Sequence, residues 1–86
     1  MKFTITWSDA AVNDLTLIWT RVSDRNAVTR ASEEIDRVLA RDPQYVGESR
    51  PGNERVTYAG PLGCRFEVVV DDLRVTVGAV WLIRAV

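Results

Sequence analysis

The sequence predicts an α+β domain of order β-α-α-β-β-β, with a helical hairpin packed on one face of a small, mainly antiparallel sheet. Three observations lead there. A strictly alternating stretch opens the chain, two amphipathic helical stripes joined by very few residues follow, and three further alternating stretches close it. Each helix carries a single apolar stripe, and a sheet is the surface that both can cover.

Lys2-Phe3-Thr4-Ile5-Thr6-Trp7 sets Phe3, Ile5 and Trp7 on one face and Lys2, Thr4 and Thr6 on the other, a half-buried strand. Ser8 then supplies an N-cap oxygen and Asp9 a first-turn negative charge. Trp7 and Val12 have the spacing of a hydrophobic staple across that cap. Ala11, Leu15, Ile18, Trp19 and Val22 recur at helical spacing, which predicts a helix over 9–22. Ser23-Asp24 breaks it and caps the next. Val28, Ala31, Ile35, Val38 and Leu39 form the second stripe, and Pro43 stops that helix near Asp42.

Residues 43–53 hold two prolines and two glycines and read as a loop. Glu54–Gly60 alternates, with Val56 and Tyr58 opposed to Arg55 and Thr57. Pro61-Leu62-Gly63 reads as a turn. Cys64–Val70 sets Cys64, Phe66, Val68 and Val70 against Arg65, Glu67 and Val69. Asp71-Asp72 reads as a hairpin turn, and the last strand runs from Leu73 to about Ile83. In it Val75, Val77, Ala79 and Trp81 share a face opposite Arg74, Thr76 and Gly78.

At 86 residues and 47% apolar, the chain suits one domain spanning 1–86. No apolar run approaches the roughly 18 residues of a membrane span, and there is no signal-peptide pattern. The lone Cys64 forms no internal disulfide. These features read as cytoplasmic. A net charge of −1 argues against nucleic-acid binding through overall positive charge. Ten of the eleven bases are nonetheless Arg, the residue suited to bidentate phosphate or carboxylate contacts, although a GC-rich genome produces the same bias.

Strand parity proposes where a cationic surface forms. If the apolar sets face the helices, the open sheet face collects Lys2, Thr4, Thr6, Arg55, Thr57, Arg65, Glu67, Arg74 and Thr76, with Arg84 joining at the end. A bulge in any strand would reverse its parity. There is no histidine, which removes imidazole catalysis and His-ligated metal sites. No glycine-rich phosphate loop or metal-ligand spacing appears, and no cofactor is implied. Three readings of the open face stand. Arginines can stabilise the charge of an RNA-cleavage transition state while a carboxylate or phenol takes a 2′-hydroxyl proton. The same face can bind an acidic protein segment. Or Arg55, Arg65 and Glu67 simply form cross-strand ion pairs, each worth under ~1 kcal/mol.

The order and spacing of several short pieces resemble the RelE/ParE superfamily, the toxins of type II toxin–antitoxin pairs. These are Ala11-x-x-Asp14-Leu15-x-x-Ile18 after a strand, Ile35-x-x-x-Leu39, and then Pro43, Gly47 and Arg50. Arg55, Phe66-Glu67-Val68, the Asp71-Asp72 turn and Val75-x-Val77-x-x-Val80 follow the family's course through the sheet. The resemblance implies a growth inhibitor neutralised by a cognate antitoxin. It implies action first as an mRNA interferase on the ribosome; the alternatives are a ParE-like inhibitor of DNA gyrase or a non-catalytic protein-binding module on the same fold. The site it implies comprises Arg55, Arg65, Arg84 and Glu67, with Tyr58 placed by parity in the core. The sequence departs from the RelE-like pattern at Gly63, where such members carry an arginine, and at Trp81-Leu82-Ile83, where they carry G-H-R. Their C-terminal tyrosine and final helix have no counterpart in this sequence.

Overall fold

The computed structural model describes residues 2–86. The elements are β1 (Thr4–Trp7), α1 (Asp9–Arg21), α2 (Arg25–Arg41), a 3-10 turn (Pro43–Tyr45), β2 (Glu48–Ser49), β3 (Glu54–Ala59), β4 (Leu62–Val69) and β5 (Arg74–Leu82). The sheet order is β1-β5-β4-β3-β2. β1 runs parallel to β5 and every other neighbouring pair is antiparallel. This is the expected α+β layering, with one short strand, β2, found inside the segment expected to be loop.

Both helix starts follow the local chemistry. The Ser8 hydroxyl accepts the Ala11 N–H at 3.1 Å, and the Asp24 carboxylate accepts that of Ala27 at 3.1 Å. Each cap is worth about 1 kcal/mol. The hinge between the helices is tied by Arg25, whose guanidinium carbon lies 4.4 Å from the Trp19 ring centre and whose Nε donates to the Trp19 carbonyl. Of the two residues expected to staple across the first cap, Trp7 donates its indole N–H to Asp36 of α2 at 2.7 Å, and Val12 stands 47% exposed.

The core lies between α2 and the sheet. Val28, Ala31, Ile35 and Leu39 of α2 meet Leu62, Cys64, Phe66 and Val68 of β4 and Val75, Val77 and Val80 of β5. Fully burying a side chain such as Phe66 or Ile35 contributes roughly 1.5–3 kcal/mol. From α1 only Ala11 is fully buried; Leu17 and Trp19 stay largely exposed.

β1 ends at Trp7, where the chain turns away into α1, and this leaves the outer edge of β5 without a strand partner beyond Val77. Ser8, which caps α1, and Asp14 within it take over. Ser8 donates its backbone N–H to the Val77 carbonyl at 2.9 Å and its hydroxyl to the Gly78 carbonyl at 3.4 Å. Asp14 accepts the Val80 N–H at 3.1 Å. Unpaired backbone donors are costly away from water, so Asp14 replaces the missing strand.

Candidate functional site

Registers decide which side chains share the open face of the sheet, because directly paired residues point to the same side. In β3 the pairing reverses the expected parity. Arg55 lies opposite Phe66, and Thr57 opposite Cys64, both core residues of β4; Val56 lies opposite Arg65, and Tyr58 opposite Gly63. Tyr58 is therefore on the open face, 54% exposed, not in the core. Val56 is buried yet stands outside the main core, as this placement requires. Alternation in β3 is equally strict for either assignment, so only the partner strand could choose.

The last strand changes face midway. Arg65 pairs with Ala79 but Phe66 pairs with Val77, which leaves Gly78 as the extra residue of a β-bulge. Before the bulge Val75 and Val77 face the core; after it Val80 does. Ala79 and Trp81, expected beside Val77, are carried to the open face. Trp81 there lies over Gly63. A β-carbon on Gly63 would fall 2.4 Å from the indole Nε1 and 2.6 Å from Cε2. The residue that departs from the RelE-like pattern, Gly63, is thus the one that makes room for the other departure, Trp81.

The expected cationic face does not assemble. Thr4, Thr6, Arg65, Glu67, Arg74 and Thr76 lie on it, joined by Glu48, Glu54, Val56, Tyr58 and Trp81. Arg55, at the far side, donates Nε to the Val46 carbonyl at 2.9 Å and an Nη to that of Gly47 at 3.1 Å, pinning the loop before β2. Lys2 lies beside Asp36, Arg37 and Arg41 of α2. Arg84 lies in a groove with Arg30 and Pro61: the Ile83 N–H extends the β4–β5 pairing by one bond, 2.7 Å to the Pro61 carbonyl, and the chain leaves the sheet after it. With Lys2, Arg55 and Arg84 elsewhere, the open face carries two arginines, Arg65 and Arg74, against three glutamates.

Of the four residues proposed for a site, only Arg65 and Glu67 come together. They line a cavity of about 190 Å³ with Glu54, Thr76 and Gly78. Arg65 reaches Glu54, 3.3 Å from Nε to the carboxylate, with both side chains about half exposed. Such a pair is worth little in stability but it does occupy the guanidinium. Glu54 and Trp81 were not singled out from sequence as functional residues. The signal for Trp81 was present in two strand-interior glycines, Gly63 and Gly78, which mark close approaches and bulges. Among the described residues no group of three or more His, Cys, Asp or Glu side chains is placed to hold a metal ion. No described helix is long and apolar enough to cross a membrane.

No protein-family model and no curated protein matches this sequence. Solved structures do. A chain of the toxin–antitoxin complex RelBE2 from Mycobacterium tuberculosis superposes with a TM-score of 0.78 at 16% identity, over 95% of this chain and 92% of the other. A chain of the chromosomal ParDE system of Pseudomonas aeruginosa gives 0.63 at 15% identity, over 96% and 98%. TrmO from P. aeruginosa gives 0.64 at 20% identity, but there this chain spans only 35% of the larger protein. Layering and near-complete mutual coverage agree: the chain has the RelE/ParE-like α+β fold found in these toxin–antitoxin structures.

Proposed function

We propose that this chain is the toxin of a type II toxin–antitoxin pair, a growth inhibitor held silent by a cognate antitoxin, and that it acts on a protein target. The chain-long match in fold to chains of two toxin–antitoxin structures supports the first part.

The open face carries the second. A ribonuclease of this class needs guanidinium groups converging on one phosphate. Here Arg55 holds backbone carbonyls, Arg65 is paired with Glu54, and Arg84 lies in a different groove. A face with more glutamates than arginines repels a phosphate backbone. Exposed Tyr58 and the indole of Trp81 suit protein contact instead. Among the targets implied by the family resemblance, DNA gyrase fits this reading better than mRNA on the ribosome.

The test is induced expression in a host that carries no cognate antitoxin. Growth arrest is expected, with relief when an antitoxin encoded beside the gene is co-expressed. A supercoiling assay and a ribosome-dependent cleavage assay, run on the same purified protein, then separate the targets. Specific mRNA cleavage would overturn the protein-target reading, and unimpaired growth would overturn the toxin reading.

A further inference from the structure

A second charged surface lies off the sheet, in a groove of about 520 Å³ between α2 and the turn joining β3 to β4. Arg30, Arg37 and Arg84 line it, with Glu33, Glu34 and Pro61. The turn sits close against α2: a β-carbon on Gly60 would lie 3.3 Å from that of Ala31. Arg37 has one long ion pair, 3.5 Å to Glu34, with both side chains substantially exposed. Arg30 and Arg84 make no ion pair among the described residues. Arg84 is also held in place, because the Ile83 N–H donates to Pro61 and the Val86 carbonyl accepts the Ser23 N–H at 2.9 Å. A cation whose backbone is fixed on both sides loses less freedom when a partner arrives.

We infer that this groove is a docking surface for an acidic segment of a protein, with Arg30, Arg37 and Arg84 as the receiving groups. Arg30 and Arg37 are seven residues apart on α2, about 10.5 Å along its axis. Glu33 lies between them in the same groove. That alternation selects the kind of anion. A nucleic-acid strand carries a phosphate at every nucleotide and cannot leave one out, so a strand spanning both arginines brings a phosphate near Glu33. A protein helix can present carboxylates at seven-residue spacing and leave the position facing Glu33 uncharged. The inference is independent of the toxin reading, since it concerns a different face and a binding measurement.

The probe is a fluorescent alanine-based helical peptide with glutamates at seven-residue spacing, titrated with the intact chain at low salt and followed by anisotropy. Binding is expected, with none for the matching lysine peptide. Arg30→Ala and Arg84→Ala should each weaken it about two- to fivefold, the upper part of the range for one exposed charge-assisted contact. Arg74→Ala, on the sheet, should leave it unchanged. All three arginines are exposed, and circular dichroism checks that the variants fold. Equal losses for Arg74→Ala, no loss for Arg30→Ala and Arg84→Ala, or tighter binding of single-stranded RNA through the same arginines would each overturn the proposal.

Discussion

The indole of Trp81 lies against the α-carbon of Gly63 on the neighbouring strand, so close that a methyl group there would sit 2.4 Å from Nε1. Gly63→Ala should therefore displace the ring. Overpacking of this kind costs about 1–3 kcal/mol, and relief requires the indole to swing toward solvent. Urea denaturation should show the loss, and a Trp7→Phe, Trp19→Phe background should show a red-shifted emission from Trp81. Unchanged stability and emission would mean that the ring does not rest on Gly63.

Asp14 carries a stabilising role that its place on an amphipathic helix does not reveal. Asp14→Ala leaves the Val80 N–H without a partner in a half-buried position, a loss of about 1–3 kcal/mol. Asp14→Asn retains an acceptor oxygen and should recover part of that. Hydrogen exchange at the Val80 amide reads the contact directly. Protection that is the same in Asp14→Ala as in the natural chain would exclude it.

Arg55 is expected to act as a brace. Its substitution by Ala removes two hydrogen bonds to the 46–47 backbone and should speed amide exchange across 46–50. The stability loss should be near 1–3 kcal/mol. Growth arrest should persist in this variant at a temperature where it stays folded. If arrest disappears while exchange in the loop is untouched, Arg55 belongs to the active machinery.

Cys64 should be chemically silent in the folded protein. Burial against the core disfavours the thiolate and raises its pKa to about 11 from the ordinary 9.0, only partly offset by a backbone hydrogen bond at Thr57. The protonated thiol is thus favoured by the folded state. Its contribution to stability is complete below pH 9 and falls as pH rises toward 11, where the unfolded chain ionises first. Labelling by iodoacetamide at pH 8 should track global unfolding, so rapid labelling under native conditions would count against burial.

Local chemistry made the helices and the middle of the sheet legible. Ser8 and Asp24 cap where their side chains suggest, Pro43 ends α2, and Cys64, Phe66 and Val68 point to the core while Arg65 and Glu67 point away. Each of these is settled within a few residues, by a cap, a ring closure or an alternation with one greasy side. The turn after β4 was less so: Leu73, expected to begin the last strand, adopts a positive φ of 49° inside the turn, and β5 starts at Arg74.

The site was decided elsewhere. Arg55 and Tyr58 exchanged faces because β3 has side chains of mixed character on both sides, and its register against β4 chose between them. Trp81 changed face because one extra residue at Gly78 reversed a strand that alternation alone would have carried straight on. Arg84 lies off the sheet because the β4–β5 pairing runs out just before it: the Ile83 N–H still bonds in register to the Pro61 carbonyl, and there the partner strand ends in the turn back to β3. The sequence by itself determined the elements, their order and the core of β4, since those follow from local bonding and burial. Only the tertiary structure decided which side chains meet on the open face, because a period-two pattern changes sign with a shift of one residue and that shift is set by a distant partner strand.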